Sequence, residues 1–183
     1  MLTTTPIIIA ILVIAFLTVA AFQPSAYRVQ RSLAISASPA ELFSEINDLK
    51  KAQIWSPWMK MDPAARISFE GPPAGVGASF NWSGNRKIGE GRQTITASRA
   101  NELVRSKLEF KKPFEGDATA EFTLKREGPR TVVTWAMFGE NNFLSKAVCI
   151  FMNQDKMIGG PFEEGLSSLQ ALVEPTATNL PPL

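Results

Sequence analysis

The sequence contains no histidine, and this absence excludes several kinds of catalytic site. Its 183 residues include no His, one Cys and one Tyr. Ser-His-Asp and Cys-His sites, HExxH zinc sites and any acid–base step carried by imidazole therefore have no candidate residues. Structural zinc would require several cysteines. Catalysis would have to use Asp, Glu, Arg, Lys, Ser, Thr or Tyr, and the sequence predicts neither a cofactor nor a metal site.

The single cysteine and the scattered charges narrow the choice of partners. Cys149 cannot form an internal disulfide, so cysteine usage does not indicate a redox compartment. It lies in the apolar run 147–151, which is typical of a small core side chain. The net charge is +2, and the longest basic runs are pairs such as Lys50-Lys51. Because nucleic-acid-binding domains present a concentrated basic face, we expect no nucleic-acid partner. The oligomeric state stays open.

Residues 7–22 form an uncharged apolar run. As a helix this run would be roughly 24 Å long, and its polar but uncharged neighbours can extend it towards the hydrocarbon thickness of about 30 Å. The pattern predicts a single-pass membrane anchor over residues 1–27. The alternative is a cleaved signal peptide. The small residues Val19-Ala20-Ala21 fit cleavage, but no Lys or Arg precedes the run, as a signal peptide normally requires.

The first basic residues, Arg28 and Arg31, follow the apolar run, and none precedes it. The positive-inside tendency places this flank in the cytoplasm. A cytoplasmic domain is therefore the expectation, with a periplasmic or secreted domain as the alternative.

The chain from residue 28 to residue 174 predicts one α+β domain. Residues 28–36 alternate between apolar and polar, which favours a strand. Ser38-Pro39-Ala40-Glu41 has the residues of a capping box and predicts a short helix. Between residues 67 and 137, apolar residues recur at every second position in segments separated by turns. This pattern predicts about six antiparallel strands with one covered face, including a long strand over residues 87–98.

A C-terminal helix should cover that face. Asn142 is placed to cap a helical stretch that begins near Phe143. Gly159-Gly160-Pro161 predicts a kink or a restart further on. Pro175 should end the helix, leaving residues 175–183 as a flexible tail. Spacings of three and four residues define one apolar stripe, which consists of Ile158, Phe162, Gly165, Leu169 and Leu172.

The order of elements, together with several short motifs, resembles a known superfamily. The motifs are Trp55-Ser56-Pro57-Trp58, Met61-Asp62-Pro63, Gly71-Pro72, Gly75-Val76-Gly77, Gly89-Glu90-Gly91, Pro113-Phe114, Ala120-Glu121-Phe122, Val133-Thr134-Trp135, Asp155-Lys156-Met157, Phe162-Glu163 and Gly165-Leu166. Over about residues 29–174 the chain resembles the SRPBCC, or START-like helix-grip, superfamily, and is most similar to its bacterial polyketide cyclase/dehydrase-like branch. The resemblance implies an antiparallel sheet wrapped on a long C-terminal helix, with a cavity between them. It implies no catalytic set, because a fold does not fix a site.

Large rings are numerous for a domain of this size. On the concave face of a helix-grip sheet they would line the cavity, and the alternative is a filled core. Glu90 and Arg92 share one strand face and are polar candidates if that face is concave; otherwise they form an exposed pair. The segment 55–58 is predicted to be a loop at the cavity mouth. The ligand-binding candidates are Trp55, Trp58, Phe80, Trp82, Phe110, Phe122, Trp135, Phe151, Met157 and Phe162.

The sequence is compatible with three functions. The first is a membrane-tethered domain that binds a hydrophobic or amphipathic small molecule, such as a lipid, an isoprenoid or an aromatic compound. The second is a polyketide cyclase/dehydrase-like enzyme in which a buried Glu or Arg moves protons. The third is a protein-interaction module of the co-chaperone kind, with a filled cavity. The lack of His, and of a Tyr inside the predicted domain, counts against the enzyme.

Overall fold

The computed structural model describes residues 4–141, 143–150 and 153–174. Asn142, Phe151 and the predicted tail over residues 175–183 lie outside the described residues. The described elements are, in chain order, α1 (Thr4–Phe22), β1 (Ala26–Ile35), α2 (Pro39–Asn47), α3 (Leu49–Trp55), α4 (Pro57–Met61), β2 (Arg66–Glu70), β3 (Ser79–Ser83), β4 (Glu90–Arg99), β5 (Leu103–Lys112), β6 (Gly116–Glu127), β7 (Arg130–Glu140), α5 (Phe143–Cys149) and α6 (Gln154–Val173).

The seven strands form one antiparallel sheet in the order β1-β7-β6-β5-β4-β3-β2. This confirms the predicted α+β helix-grip architecture. The first strand pairs with the last, with Ala26 opposite Glu140 and Ile35 opposite Thr131. The long strand begins at Glu90 rather than at residue 87. Residues 86–88 form a turn, and Gly89 follows them with a φ of 65°, a left-handed conformation that favours glycine and lies outside a strand.

Helix α6 lies on one face of the sheet and buries most of the predicted stripe. Phe162 and Leu169 are fully buried, whereas Leu172, at the end of the stripe, is 46% exposed. Of the predicted kink or restart at Pro161, the restart is wrong, because one continuous helix runs through Pro161, and the kink stays a prediction. The proline ring clashes partly with the Cβ of the residue before it, and Gly160 removes that part of the clash because it has no Cβ.

The segment that leads into the sheet is helical and packed. Ser38 and Glu41 form the predicted capping box, and Asp48 caps α3 by accepting from two backbone N–H groups. The prediction of a loop over residues 55–58 is wrong. Trp55 is the last residue of α3 and is only 3% exposed, with its Nε1 donating to the Glu45 carbonyl at 3.3 Å.

Helix α1 has a different surface from the rest of the chain. No helix in the described part of the protein has both the length and the apolar character needed to cross a membrane. The predicted transmembrane helix is therefore not found. The described side chains of α1 are largely apolar and mostly exposed; Leu12 and Ile14 are each 63% exposed, whereas Ala20 is buried. Helix α1 contacts α5.

An ion-pair cluster joins the edge strand β1 to α6. Arg31 Nε donates to Glu163 Oε1 at 2.6 Å, and its Nη2 donates to Asp155 Oδ2 at 2.9 Å. The hydrogen bond from Arg31 is the main reason that the pKa of Asp155 lies below its usual 3.8. The guanidinium passes so close to Gly159 that a Cβ there would lie 2.1 Å from Nη2. The cluster thus explains a glycine inside the helix.

Replacing Arg31 by Met should make the stability of the domain less sensitive to acid. Because the pKa of Asp155 is lower in the folded chain, its ion pair contributes stability above the unfolded pKa. That contribution is lost as the pH falls through the folded pKa. The urea midpoint at about pH 7 should therefore exceed that at about pH 3 by more in the wild type than in Arg31→Met. Arg99→Met, which removes an exposed pair with Glu102, is the control; equal differences in all three proteins would contradict the expectation.

Candidate ligand-binding cavity

A cavity of about 420 Å³ lies between the concave face of the sheet, the α3–α4 segment and α6. Its walls are mostly aliphatic and aromatic. Small-molecule sites are concave, mostly apolar and typically roughly 300–1,000 Å³ in volume. The cavity falls within that range, in its lower half.

Three stacked rings form the inner end of the cavity wall. Trp135 on β7 lies between Phe122 on β6, at a centroid distance of 4.7 Å, and Phe162 on α6, at 4.1 Å. Trp55 packs edge-on against both Phe122 and Trp135. The Cζ3 end of the Trp135 ring abuts Gly165, where a Cβ would lie only 2.6 Å away. The stack therefore requires a glycine at this turn of α6.

A second aromatic group covers the other end of the floor. Trp82 contacts Phe80 and Phe110, each at a centroid distance of 5.8 Å. Its Nε1 donates to the Ile88 carbonyl at 3.0 Å. The ring lies over Gly91, where a Cβ would come within 2.4 Å of it. With its indole N–H satisfied by the protein, Trp82 presents an apolar surface to the cavity.

The polar residues of the cavity wall concentrate at the strand ends and loops, which we take as the mouth. Asn141 and Gln154 hydrogen-bond to each other there. Helix α5 contributes Ser145 and Val148, and β1 contributes Tyr27. The charged residues of the wall all lie at this end, on the loops 84–89 and 113–115 or at the ends of β6 and β7; they are Lys87, Glu115, Asp117 and Glu140.

The structure distributes the predicted site residues between three places. Trp55 belongs to the buried core and not to the cavity wall. Phe151 lies outside the described residues. The remaining candidates all line the cavity, and they are Trp58, Phe80, Trp82, Phe110, Phe122, Trp135, Met157 and Phe162.

Glu90 and Arg92 lie away from the cavity wall, on the other face of β4, and both side chains are partly buried. Arg92 pairs with Glu70 at 2.9 Å and also donates to Ser79. Glu90 pairs with Lys112 at 3.0 Å, and the hydrogen bond from Lys112 lowers the pKa of Glu90. Their interactions are those of neighbouring strands on the outer face of the sheet.

Several wall residues were missed by the sequence reasoning. Tyr27 falls within the predicted membrane anchor, yet it is the second residue of β1 and lines the mouth. Leu108, Ala120 and Met137 lie two residues from Phe110, Phe122 and Trp135 on the same strand faces, so strand periodicity could have identified them. Gln93 could have been found in the same way, because it lies between Gly91 and Ile95 on the inward face of β4.

The ionisable groups of the wall lie at the mouth, away from the apolar floor. Among the described residues no cluster of His, Cys, Asp and Glu could hold a metal ion. Six groups of the described residues have displaced pKa values and lie outside the cavity wall, and they are Arg31, Glu41, Glu90, Lys107, Asp155 and Glu174. A carboxyl group perturbed inside the cavity is the feature that would favour an enzyme.

Comparison with known proteins identifies the fold. No family model and no curated protein matches the sequence. Solved structures do match over most of the chain. Ginseng major latex-like protein 151 from Panax ginseng is 12% identical with a TM-score of 0.57, covering 82% of this chain and 99% of that chain. The Aha1 structure from Colwellia psychrerythraea is 17% identical with a TM-score of 0.56, covering 81% of this chain and 96% of that chain. Ara h 8.0201 is 12% identical with a TM-score of 0.51, covering 80% and 99%.

These neighbours define the fold. The chain has a helix-grip fold, a seven-stranded antiparallel sheet with a C-terminal helix, as the resemblance of its motifs implied. At identities below 20% the likeness establishes the fold and leaves the ligand and the activity to the site itself.

Gly165→Ala should destabilise the domain by about 1–3 kcal/mol, because the added methyl would overlap Trp135, which is stacked on both faces and cannot move aside. Ser167→Ala, two residues further on and exposed, is the control and should change stability by less than about 0.5 kcal/mol. Urea unfolding measures both. Equal stabilities of the two variants would show that the stack tolerates a shift of α6.

Proposed function

We propose that this domain binds a single hydrophobic or amphipathic small molecule in the cavity. The observation that carries the proposal is an open cavity of about 420 Å³ walled by two aromatic groups. Met157, which is 49% exposed at the mouth, adds an adaptable side chain of the kind that suits a variable apolar ligand.

The volume limits the size of the ligand. At ~30 Å³ for each water-sized group, the cavity holds about 14 such groups. That capacity suits one alkyl chain, one short isoprenoid or a small ring system. A two-chain lipid would leave much of its apolar surface outside the cavity.

We further propose that α1 attaches the domain to a membrane through residues 7–22. Its exposed apolar surface supports this reading. Helix α1 contacts α5, which carries the mouth residues Ser145 and Val148. Tyr27, another mouth residue, follows Phe22 by five positions. Attachment by α1 would therefore place the mouth beside the bilayer. Arg28 and Arg31 after the helix favour the cytoplasmic side.

The other two functions have less support. The enzyme alternative needs a perturbed acid or base inside the cavity, and the displaced pKa values of Glu90 and Asp155 belong to groups outside its wall. The interaction-module alternative depends on a filled cavity, and the open volume is evidence against it.

The full chain, purified from its own host, should carry a small molecule that native mass spectrometry detects and denaturation releases. Ala120→Met should lower the occupancy about tenfold or more, because Ala120 lines the floor and the longer side chain would fill part of the cavity. Thr119→Met, at the next position on the other strand face, should retain the molecule. An apo mass for the wild type, with no thermal shift on adding lipid extract, would contradict ligand binding.

Leu12→Arg should reduce the association of the full chain with lipid vesicles about tenfold or more. A charge placed on an apolar membrane-contacting helix costs about 2.5–3.5 kcal/mol at the bilayer centre, and less near the surface. Vesicle flotation measures the bound fraction. Val76→Arg introduces the same charge at an exposed apolar residue outside α1 and should leave flotation unchanged. Equal flotation of both variants and the wild type would refute attachment through α1.

A further inference from the structure

One amide interrupts the apolar floor of the cavity. Gln93 lines the cavity from β4, and the residues opposite it on the neighbouring strands are Phe80 and Leu108. It lies three residues inside the start of β4 at Glu90, or about 10 Å from that strand end at ~3.3 Å per residue. A polar side chain is therefore held well inside the floor, away from the charged mouth.

Only half of this amide is satisfied by the protein. Gln93 Nε2 donates to Ser106 Oγ at 3.2 Å, and Ser106 is 3% exposed. The Oε1 atom has no hydrogen-bond partner among the described residues. A polar group in an apolar environment costs free energy unless it is hydrogen-bonded. A ligand group in the cavity would complete the bonding of this amide.

The chemistry of the amide and the hydroxyl defines what that group can be. If the amide is turned over, Oε1 accepts from the Ser106 hydroxyl and Nε2 is left to donate into the cavity. Either orientation leaves one uncharged hydrogen-bonding group for the ligand. A hydroxyl both donates and accepts, so it pairs with both orientations, whereas a hydrocarbon pairs with neither.

Charge on the ligand at this position is disfavoured. The charged residues of the wall, such as Lys87 and Glu140, lie at the strand ends and loops. The neighbours of Gln93 in the floor are apolar, and an ion placed among them would lack a counter-charge.

We propose that Gln93, positioned by Ser106, is the specificity-determining residue of the cavity, and that the ligand is a neutral amphiphile whose hydroxyl hydrogen-bonds to this amide. The inference rests on the proposed binding function and specifies its ligand class. It separates long-chain or isoprenoid alcohols from plain hydrocarbons and from ionised amphiphiles of the same length.

The test compares 1-dodecanol, dodecane and dodecanoate as competitors of the fluorescent probe N-phenyl-1-naphthylamine. The full chain is held in nanodiscs of one lipid composition, so that partition of each competitor into the bilayer is the same for every variant. The measured quantity is the ratio of the apparent Kd for dodecane to that for dodecanol. This ratio should be about 5- to 10-fold smaller in Gln93→Met, an uncharged replacement of similar length, than in the wild type.

Matched variants show whether the effect belongs to Gln93. Gln53→Met replaces another wall glutamine, whose Nε2 already donates to the Leu49 carbonyl within α3, and should leave the ratio unchanged. Ser106→Ala should lower the ratio by less than Gln93→Met, because it frees the amide without removing it. If Gln93→Met does not fold, Gln93→Asn tests the same position, because its side chain is one methylene shorter and its amide lies further from the ligand.

Each outcome has a distinct meaning. Probe binding with an unchanged ratio in Gln93→Met and Gln93→Asn would overturn the specificity role and leave the binding function standing. Stronger competition by dodecanoate than by dodecanol would overturn the neutral ligand class. Failure of the probe and of every competitor to bind the wild type would overturn the binding function itself, and this inference with it.

Discussion

The stacking of Trp135 between Phe122 and Phe162 is the contact on which the arrangement of sheet and helix depends. It joins β6, β7 and α6 through ring faces at 4.7 and 4.1 Å, and Gly165 lets the helix approach the ring edge. In the strand register Trp135 lies opposite Arg31, whose ion pairs with Asp155 and Glu163 fasten the same stretch of helix to the edge strand. These contacts fix α6 against β1 and β7, and the cavity lies between α6 and the rest of the sheet.

The polar atoms in and near the cavity differ in whether the protein itself supplies their hydrogen bonds. Two of the four indoles are satisfied by backbone carbonyls, Trp55 by Glu45 and Trp82 by Ile88. Trp135 Nε1 is buried without a hydrogen-bond partner among the described residues. Burying an unpaired donor costs about 1–3 kcal/mol of folding free energy. This Nε1 atom is fully buried, so a ligand in the cavity cannot reach it. The unpaired amide oxygen of Gln93, in contrast, belongs to a side chain that lines the cavity.

The position of the mouth connects the domain to its N-terminal helix. Strand ends, two loops, α5 and the start of α6 surround the opening, and α1 meets α5 on that side. A ligand that leaves an apolar phase beside α1 would meet the charged and amide groups of the rim first and the aromatic floor afterwards. An amphiphile satisfies both environments, because its polar group and its apolar body can be matched separately.

Local sequence determined the elements, and the tertiary structure determined the site. Period-two patterns gave the strands, Ser38 and Glu41 gave a helix start, and apolar spacing gave α6, because these signals act over a few residues. The short motifs led to the fold. The sequence could not separate Trp55 in the core from Trp58 in the cavity wall, since both are large rings in one segment. The sequence also could not show that Tyr27 lies at the mouth or that the amide oxygen of Gln93 is unpaired, because burial and hydrogen bonding depend on strands and helices distant in sequence.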